Sequence, residues 1–181
     1  MLEDRLLIWK YNRGNRRALE PIYQKYKDDL TTLAAALLFN KDAGEDVVHD
    51  VFVSFIASCG RFKLTGSLKS YLTTCVVNNV RNRNKAVANR RCVELNDAAP
   101  LAAVTDRPDA SLIFGENSAR LAHALEQLPY EQREALLLHL YSEMKFKTIA
   151  QSQDESINTI QGRYRYALEK LRSLLNGEVQ K

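Results

Sequence analysis

The sequence predicts an all-α chain with two small helical domains joined by a linker, the second domain containing a helix-turn-helix. Apolar residues recur at spacings of three and four along most of the chain, which is typical of helices. Alternating β-branched runs are absent, and no Asn-Gly or Asp-Gly pair joins two such runs as in a hairpin. At 181 residues and 45% apolar composition, the chain is long enough for two small cores.

Four helices are predicted in the first domain, residues 1–92. The first ends near Gly14, and the third buries a face that begins with Val47 and Val48. Ser67 is a candidate N-cap for the fourth helix, whose apolar pattern fades after about Val87. The predicted spans are 3–12, 15–39, 43–58 and 67–87.

A linker is predicted over residues 93–114, where Pro100 and Pro108 stand among scattered polar residues. The second domain, residues 115–181, returns to helical periodicity. Its last two helices, a short one followed by a turn and a longer one, match the geometry of a helix-turn-helix. The predicted spans are 115–127, 130–141, 145–152 and 156–175.

Several function classes are disfavoured by what the sequence lacks. The three cysteines, Cys59, Cys75 and Cys92, form neither a disulfide framework nor a zinc signature, and no secretory signal opens the chain. No apolar run is long enough for a membrane span. Phosphate-binding glycine loops and nucleophile elbows are also absent. We therefore expect a cytoplasmic protein without membrane insertion, catalytic residues, metal or cofactor.

The charge distribution favours a polyanionic partner. The chain carries a net charge of +4, and residues 61–93 contain eight basic residues and no acid. Solvated helix faces usually mix both signs, so this stretch indicates nucleic acid, although a merely basic surface would have the same composition.

The outer face of the fourth predicted helix concentrates amides and cations, which suit phosphates and bases. The preceding loop mixes cations with an aromatic ring, a combination that can hold an unstacked base. Phe62 could equally belong to the core. The candidates are Arg61, Phe62, Lys63, Asn78, Asn79, Arg81, Asn82, Arg83 and Lys85.

The last helix carries side chains that can bind base edges and phosphates on or near its outward faces. An ordinary amphipathic bundle helix is the alternative interpretation. The candidates, beginning with a predicted N-cap, are Ser156, Asn158, Thr159, Gln161, Gly162, Arg163, Arg165 and Tyr166.

A third candidate surface is an acidic stripe on the helix predicted at 43–58. It suits docking of a basic protein partner, although a solvated helix face has the same composition. The residues are Glu45, Asp46, His49, Asp50 and Val53.

Three stretches in the same order resemble bacterial sigma factors of the extracytoplasmic-function (ECF) group. Glu45-Asp-Val-Val-His-Asp-Val-Phe52 is similar to the helix that binds core polymerase. The segment from Phe62 through Gly66-Ser-Leu-Lys-Ser-Tyr-Leu72 to Arg83 is similar to the part that recognises and melts the −10 element. Leu125 to Leu136, Ile149-Ala150, Asn158 to Arg163 and Ala167 to Leu171 are similar to the −35-binding domain.

The resemblance implies a role for each candidate surface. The acidic stripe would face the polymerase clamp helices, and residues 61–67 would capture a flipped base. Ser67 and Lys69 join the −10 candidates, and the last helix would enter the −35 groove. The resemblance implies core RNA polymerase and promoter DNA as partners, an anti-sigma protein as a frequent inhibitor, and no catalysis or cofactor.

The chain departs from the family pattern in the turn of the helix-turn-helix. Gln153-Asp154-Glu155 stands where the family usually has an apolar-Gly-apolar run. We expect Asp154 to adopt the left-handed conformation that glycine would take there. Tyr71 stands where the family often has tryptophan, and Gly162 where a small polar residue is common.

Two other functions remain open from the residues alone. One is a free-standing helix-turn-helix regulator, which would need a dimer interface. The other is an RNA-binding or polymerase-associated regulator that binds polymerase without selecting start sites. For a sigma factor, we also expect the two domains to pack together in the free chain and to cover the DNA-binding surfaces.

Overall fold

The computed structural model describes residues 2–58, 60, 62–64, 66–94 and 116–177, with side chains left out at 2, 88–94, 116–118 and 177. These residues form helices and connecting turns without a strand, so the prediction of an all-α fold is confirmed. The helices are α1 (Leu2–Asn12), a 3-10 helix (Arg16–Ala18), α2 (Leu19–Leu38), α3 (Lys41–Ala57), α4 (Leu68–Glu94), α5 (Glu116–Glu126), α6 (Tyr130–Leu140), α7 (Phe146–Gln153) and α8 (Ile157–Gly177).

Two predicted helix boundaries are wrong. The helix predicted at 15–39 begins only at Leu19, because the Asn15 side chain accepts a hydrogen bond from Arg17 N and caps a separate 3-10 turn. The fourth helix continues past Val87 to Glu94 and so passes the predicted domain boundary at 92. Alanine and arginine sustain a helix without an apolar stripe, so fading periodicity did not mark its end. Residues 95–115, most of the predicted linker, lie outside the described residues.

The first domain is built on the close packing of α2 against α3. The helices are separated by a short corner in which Asn40 caps α3 by accepting a hydrogen bond from Ala43 N at 2.9 Å. Gly44 lies so near α2 that a Cβ there would meet Ala35 N at 2.8 Å. Helix α4 completes the core, whose buried members include Ile22, Leu33, Val47, Phe52, Leu72 and Val76.

The second domain packs α6 and α7 against α8. An aromatic group fixes the three helices: the His139 ring stacks on Phe146 with centroids 3.9 Å apart, and Tyr164 meets both rings edge-on. Leu125, Leu128, Leu136 and Ala167 form a small cluster of their own. This packing sets the orientation of α8, the predicted recognition helix.

The two domains share an interface, as expected from the sequence. Buried residues of α6 to α8, including Leu138 and Ile149, belong to the same continuous apolar cluster as the first-domain core. Phe39, at the end of α2, packs against the small cluster of the second domain. Helix α6 therefore takes part in the interface between the two domains.

Replacing Gly44 with alanine should destabilise the first domain by about 1–3 kcal/mol, because a methyl group at 2.8 Å from backbone must push α2 and α3 apart. Urea unfolding followed by circular dichroism measures this change. Gly162→Ala is the matched control, since among the described residues nothing beyond the neighbouring backbone of its own helix lies within 4 Å of a Cβ there. Alanine should stabilise that position by up to about 1 kcal/mol. Equal stability of the two variants would contradict the close-packing argument.

Candidate nucleic-acid and polymerase interfaces

The acidic stripe lies on one exposed face of α3. The five residues Glu45, Asp46, His49, Asp50 and Val53 are all exposed, while the intervening Val47, Val48, Val51 and Phe52 are buried. Their spacing of i, i+1, i+4, i+5 and i+8 is the spacing of one helix face. The structure therefore brings all five predicted residues onto a single surface.

An open groove of about 570 Å³ runs beside this stripe. Its floor is largely apolar, and Val53 and Ile56 remain 51% and 45% exposed. Arg16 and Arg17 at the rim were not among the predicted residues, because they belong to the 3-10 turn rather than to the α3 pattern. The groove is lined by Arg16, Arg17, Leu19, Glu20, Tyr23, His49, Phe52, Val53 and Ile56.

The predicted −10 residues on α4 fall into two groups. Asn78, Asn82 and Lys85 are exposed at i, i+4 and i+7, so they form one line along the helix. The other three are half-buried and engaged within the protein. Arg83 donates to Asn79 Oδ1 and to Asp50 Oδ2, at 3.2 and 2.7 Å. Arg81 is paired with a carboxylate of the second domain.

The loop before α4 is organised around aromatic packing. Phe62 is half-buried, with its ring edge-on to Phe55 at 5.1 Å and 4.8 Å from Tyr71. Its carbonyl accepts a hydrogen bond from Asn12 Nδ2 at 2.7 Å. Phe62 therefore packs against the core, as the alternative interpretation of this residue expects. Tyr71 is 38% exposed and presents the more accessible ring.

The remaining loop candidates have separate environments. Lys63 is exposed, whereas Lys69 forms an ion pair with Asp29 at 3.3 Å. Ser67 Oγ accepts a hydrogen bond from Ser70 N at 3.4 Å, as expected for the N-cap of α4. Arg61 lies outside the described residues.

The polar turn keeps the helix-turn-helix geometry. Asp154 has φ 53° and ψ 42°, so the predicted left-handed conformation is confirmed. Ser156 Oγ then accepts from Thr159 N at 3.0 Å and caps α8 as expected. The two hydroxyl groups also bond each other at 2.8 Å.

Arg163 faces the turn. Its Nη1 donates to Gln153 Oε1 at 3.2 Å, and its Nη2 donates to Glu155 Oε1 at 2.8 Å. The polar side chains at 153 and 155 thus form a clamp around this guanidinium. A charged link holds the turn to α8 at the place where the family pattern has apolar anchors.

The exposed stripe of α8 is formed by other residues. Asn158, Gln161, Gly162 and Arg165 recur at i, i+3, i+4 and i+7, and the three side chains are exposed. Tyr166 lies next to this stripe, with Arg165 over its ring at 5.4 Å. Of the predicted −35 residues, these present the open surface, whereas Ser156, Thr159 and Arg163 also serve the local structure.

A buried carboxylate joins the two DNA-binding candidates. The side chain of Glu134 on α6 is 1% exposed and accepts hydrogen bonds from both Arg81 and Gln153. Burial raises the pKa of this carboxyl, and the hydrogen bonds from Arg81 act in the opposite direction. Sequence reasoning missed Glu134, because its partners Arg81 and Gln153 lie on other helices and give no local signal.

The prediction that domain packing covers the DNA-binding surfaces is largely wrong. Asn78, Asn82 and Lys85 remain exposed, as do Asn158, Gln161 and Arg165. The interface instead engages Arg81 of α4, which pairs with Glu134 of α6.

Two family models match the chain. Sigma-70 region 2 covers residues 22–90, and Sigma-70 region 4 covers residues 118–171, so the matched segments coincide with the helices that carry the three candidate faces. The chain belongs to the sigma-70 family. It is an ECF sigma factor, a transcription initiation factor that binds core RNA polymerase and directs it to promoter DNA.

Curated relatives match over nearly the whole chain. The ECF RNA polymerase sigma factor EcfG of Rhodopseudomonas palustris is 29% identical, with 86% of this chain and 87% of the relative covered. The RNA polymerase sigma factor CarQ of Myxococcus xanthus is 27% identical, with 94% and 96% covered.

A solved structure shares the two-domain fold. It is the sigma factor RpoE in complex with the anti-sigma factor NepR from Bartonella quintana, at 25% identity and a TM-score of 0.64. The match covers 87% of this chain and 98% of the other.

Neither a metal site nor a membrane span was found in the described part of this sigma factor. Groups of three or more His, Cys, Asp or Glu arranged to hold a metal ion do not occur there. Among the helices described, none combines the length and the apolar character needed to cross a bilayer.

Arg163→Ala should lower the free energy of unfolding by about 1–2 kcal/mol, because it removes two hydrogen bonds that hold the turn to α8. Arg165→Ala, with the same loss of charge at an exposed position, should stay within about 0.5 kcal/mol of the wild type. Urea unfolding of the full chain compares the two. A loss of stability at 165 but not at 163 would overturn the assignment of Arg163 to the turn.

Proposed function

We propose that this ECF sigma factor acts through three separate exposed faces: the α3 stripe and its groove on polymerase, the Asn78–Asn82–Lys85 line on the −10 strand, and the exposed stripe of α8 on −35 duplex. The observation that carries the proposal is that each set is continuous, exposed and on a different helix. One chain can therefore hold all three partners at once.

The polymerase face combines charge with apolar area. Glu45, Asp46 and Asp50 suit basic groups of a partner, and the neighbouring groove offers exposed Val53 and Ile56 as apolar contacts. Interfaces in which a polar rim surrounds an apolar centre bind stably. This favours a helical element of core polymerase lying along α3 with its apolar side in the groove.

The −10 face is suited to a single strand. Asn78 and Asn82 offer amide groups for base edges, and Lys85 offers a cation for the backbone. The exposed ring of Tyr71 lies close to the loop at 62–64 and provides a stacking surface for an unstacked base. Holding the separated strand in this way would favour the open promoter.

The −35 face is suited to a major groove. Asn158 and Gln161 can form paired hydrogen bonds with adenine, and Arg165 with guanine or phosphate. Gly162 leaves a gap in the stripe, so backbone or bases can approach α8 closely there. Arg163 is bound to Gln153 and Glu155 of the turn, which supports a role for this residue in orienting α8.

The resemblance to anti-sigma complexes supports a further partner. RpoE of Bartonella quintana was crystallised with the anti-sigma factor NepR, and we infer that an anti-sigma protein also binds this chain. We further propose that the protein is cytoplasmic, requires no cofactor and has no catalytic activity of its own, because its partners supply the chemistry of transcription.

The decisive experiment is in vitro transcription with purified core polymerase across a pool of promoter fragments. New start sites that require this chain would support the proposal, and their upstream sequences would define the −35 and −10 elements. Tight polymerase binding without new starts would instead indicate a polymerase-associated regulator. DNA binding by a stable dimer without polymerase would indicate a free-standing regulator.

Replacing both Asn82 and Lys85 with alanine should reduce promoter opening more than promoter binding. The two side chains contact only the separated strand in this assignment, so permanganate reactivity of unpaired thymines should fall several-fold while the closed complex persists. For a single-strand phosphate contact by Lys85, the salt slope of open-complex stability should also fall by about 0.7.

Lys10→Ala is the control for this double variant, because Lys10 is an exposed cation on α1, a helix that carries none of the three faces. Its promoter opening should match the wild type. Equal loss of closed and open complexes in the double variant would remove these residues from the −10 face.

A further inference from the structure

The ion pair between Arg81 and Glu134 connects the two domains. Arg81 Nη2 donates to Glu134 Oε1 at 2.6 Å, and Arg81 Nε donates to Oε2 at 3.0 Å, so the contact is bidentate. The Arg81 side chain is 25% exposed and that of Glu134 1%. Gln153 Nε2 completes the shell of Glu134 Oε1 at 2.7 Å.

A second contact lies next to it on α6. Arg133 Nη2 donates to the carbonyl of Leu37 at the end of α2, at 3.2 Å, and its guanidinium lies 4.4 Å from the centre of the Phe39 ring. A cation at a helix C-terminus is favourable, because the final carbonyls lack helical partners. Neighbouring residues of α6 therefore bind α2 and α4 of the first domain.

The chemistry of the first contact matters for nucleic acid. A carboxylate presents two oxygens to the guanidinium in the geometry that a phosphate group also presents. Glu134 takes the Nε and Nη2 edge of this guanidinium and neutralises its charge, and the Arg81 side chain is only 25% exposed while the pair is formed. While α6 is docked, Glu134 thus occupies the arginine that stands beside Asn78 and Asn82 on α4.

We propose that Glu134 is an intramolecular competitor for Arg81, so that separation of α6 from α4 makes Arg81 available to the nucleic-acid backbone. This inference rests on the proposed function of α4 as the −10 face. The docked chain retains its exposed Asn78, Asn82 and Lys85, and undocking adds one more cation to that surface. Docking of the domains and binding of single-stranded DNA therefore oppose each other.

Two variants release the interface from opposite sides. Glu134→Gln places an amide donor against the Arg81 donors while keeping the size of the side chain. Phe39→Asn removes the ring that packs on the second domain, and asparagine tolerates the φ of 53° at this position. The second variant alters neither Glu134 nor any residue of the three faces.

Asp29→Asn is the matched control. Asp29 pairs with Lys69, another −10 candidate, at 3.3 Å, but both residues belong to the first domain. The substitution removes one negative charge near α4 and leaves the domain interface intact. It therefore separates a change of local charge from the opening of the interface.

The experiment uses the full chain and two measurements. Small-angle X-ray scattering gives the radius of gyration, and fluorescence anisotropy gives the affinity for a labelled single-stranded oligonucleotide of roughly 20 nucleotides. Glu134→Gln and Phe39→Asn should both increase the radius of gyration. They should bind the oligonucleotide about 3- to 10-fold more tightly, with a salt slope steeper by about 0.7. Asp29→Asn should keep the wild-type radius and show a smaller gain in affinity.

Three results would overturn the proposal. The first is an unchanged radius and affinity in both interface variants. The second is an increased radius without tighter binding, which would mean that docking does not restrain Arg81. The third is an equal gain in all three variants, which would reduce the effect to charge alone.

Circular dichroism melts identify any variant that fails to fold. If Glu134→Gln does not fold, Phe39→Asn tests the proposal. Wild-type transcription from the promoter pool tests the proposed function separately. New start sites together with any of the three contrary results would reject the competition while retaining the sigma-factor assignment.

Discussion

The arrangement of this sigma factor depends on a buried carboxylate. Removing the charge of Glu134 from water is unfavourable unless hydrogen-bond donors surround it, and the chain supplies them from two places. Arg81 comes from α4 of the first domain, and Gln153 comes from the end of α7. Satisfying one acid thus fixes the position of α6 against α4 and ties the helix-turn-helix to the same point.

The buried Glu134 also accounts for the polar residues in the turn of the helix-turn-helix. Gln153 donates to Glu134 and accepts from Arg163, and Glu155 receives the second hydrogen bond of Arg163. A chain of charged and amide groups therefore runs from α4 through α6 to α8. Apolar anchors would stabilise the turn locally, whereas these hydrogen bonds also couple it to the neighbouring domain.

Much of the fold follows from local patterns in the sequence, which is why the helices, the Ser156 cap and the left-handed Asp154 could be predicted. The α3 stripe was also accessible, because exposure on a helix follows its period. The partners of Arg81 and Arg163 were not. Both lie on outward-looking positions of their own helices, and their engagement depends on which element packs beside them. Periodicity carries no information about such contacts.

The groove beside α3 has a consequence for how the complexes of this factor respond to salt. Contacts with DNA depend on releasing counterions and weaken steeply as ionic strength rises. Burial of Val53 and Ile56 in a partner depends instead on removing apolar surface from water, which salt does not screen. With the groove on polymerase as proposed, increasing salt should release the promoter before polymerase, so a washed complex should keep the factor on the enzyme.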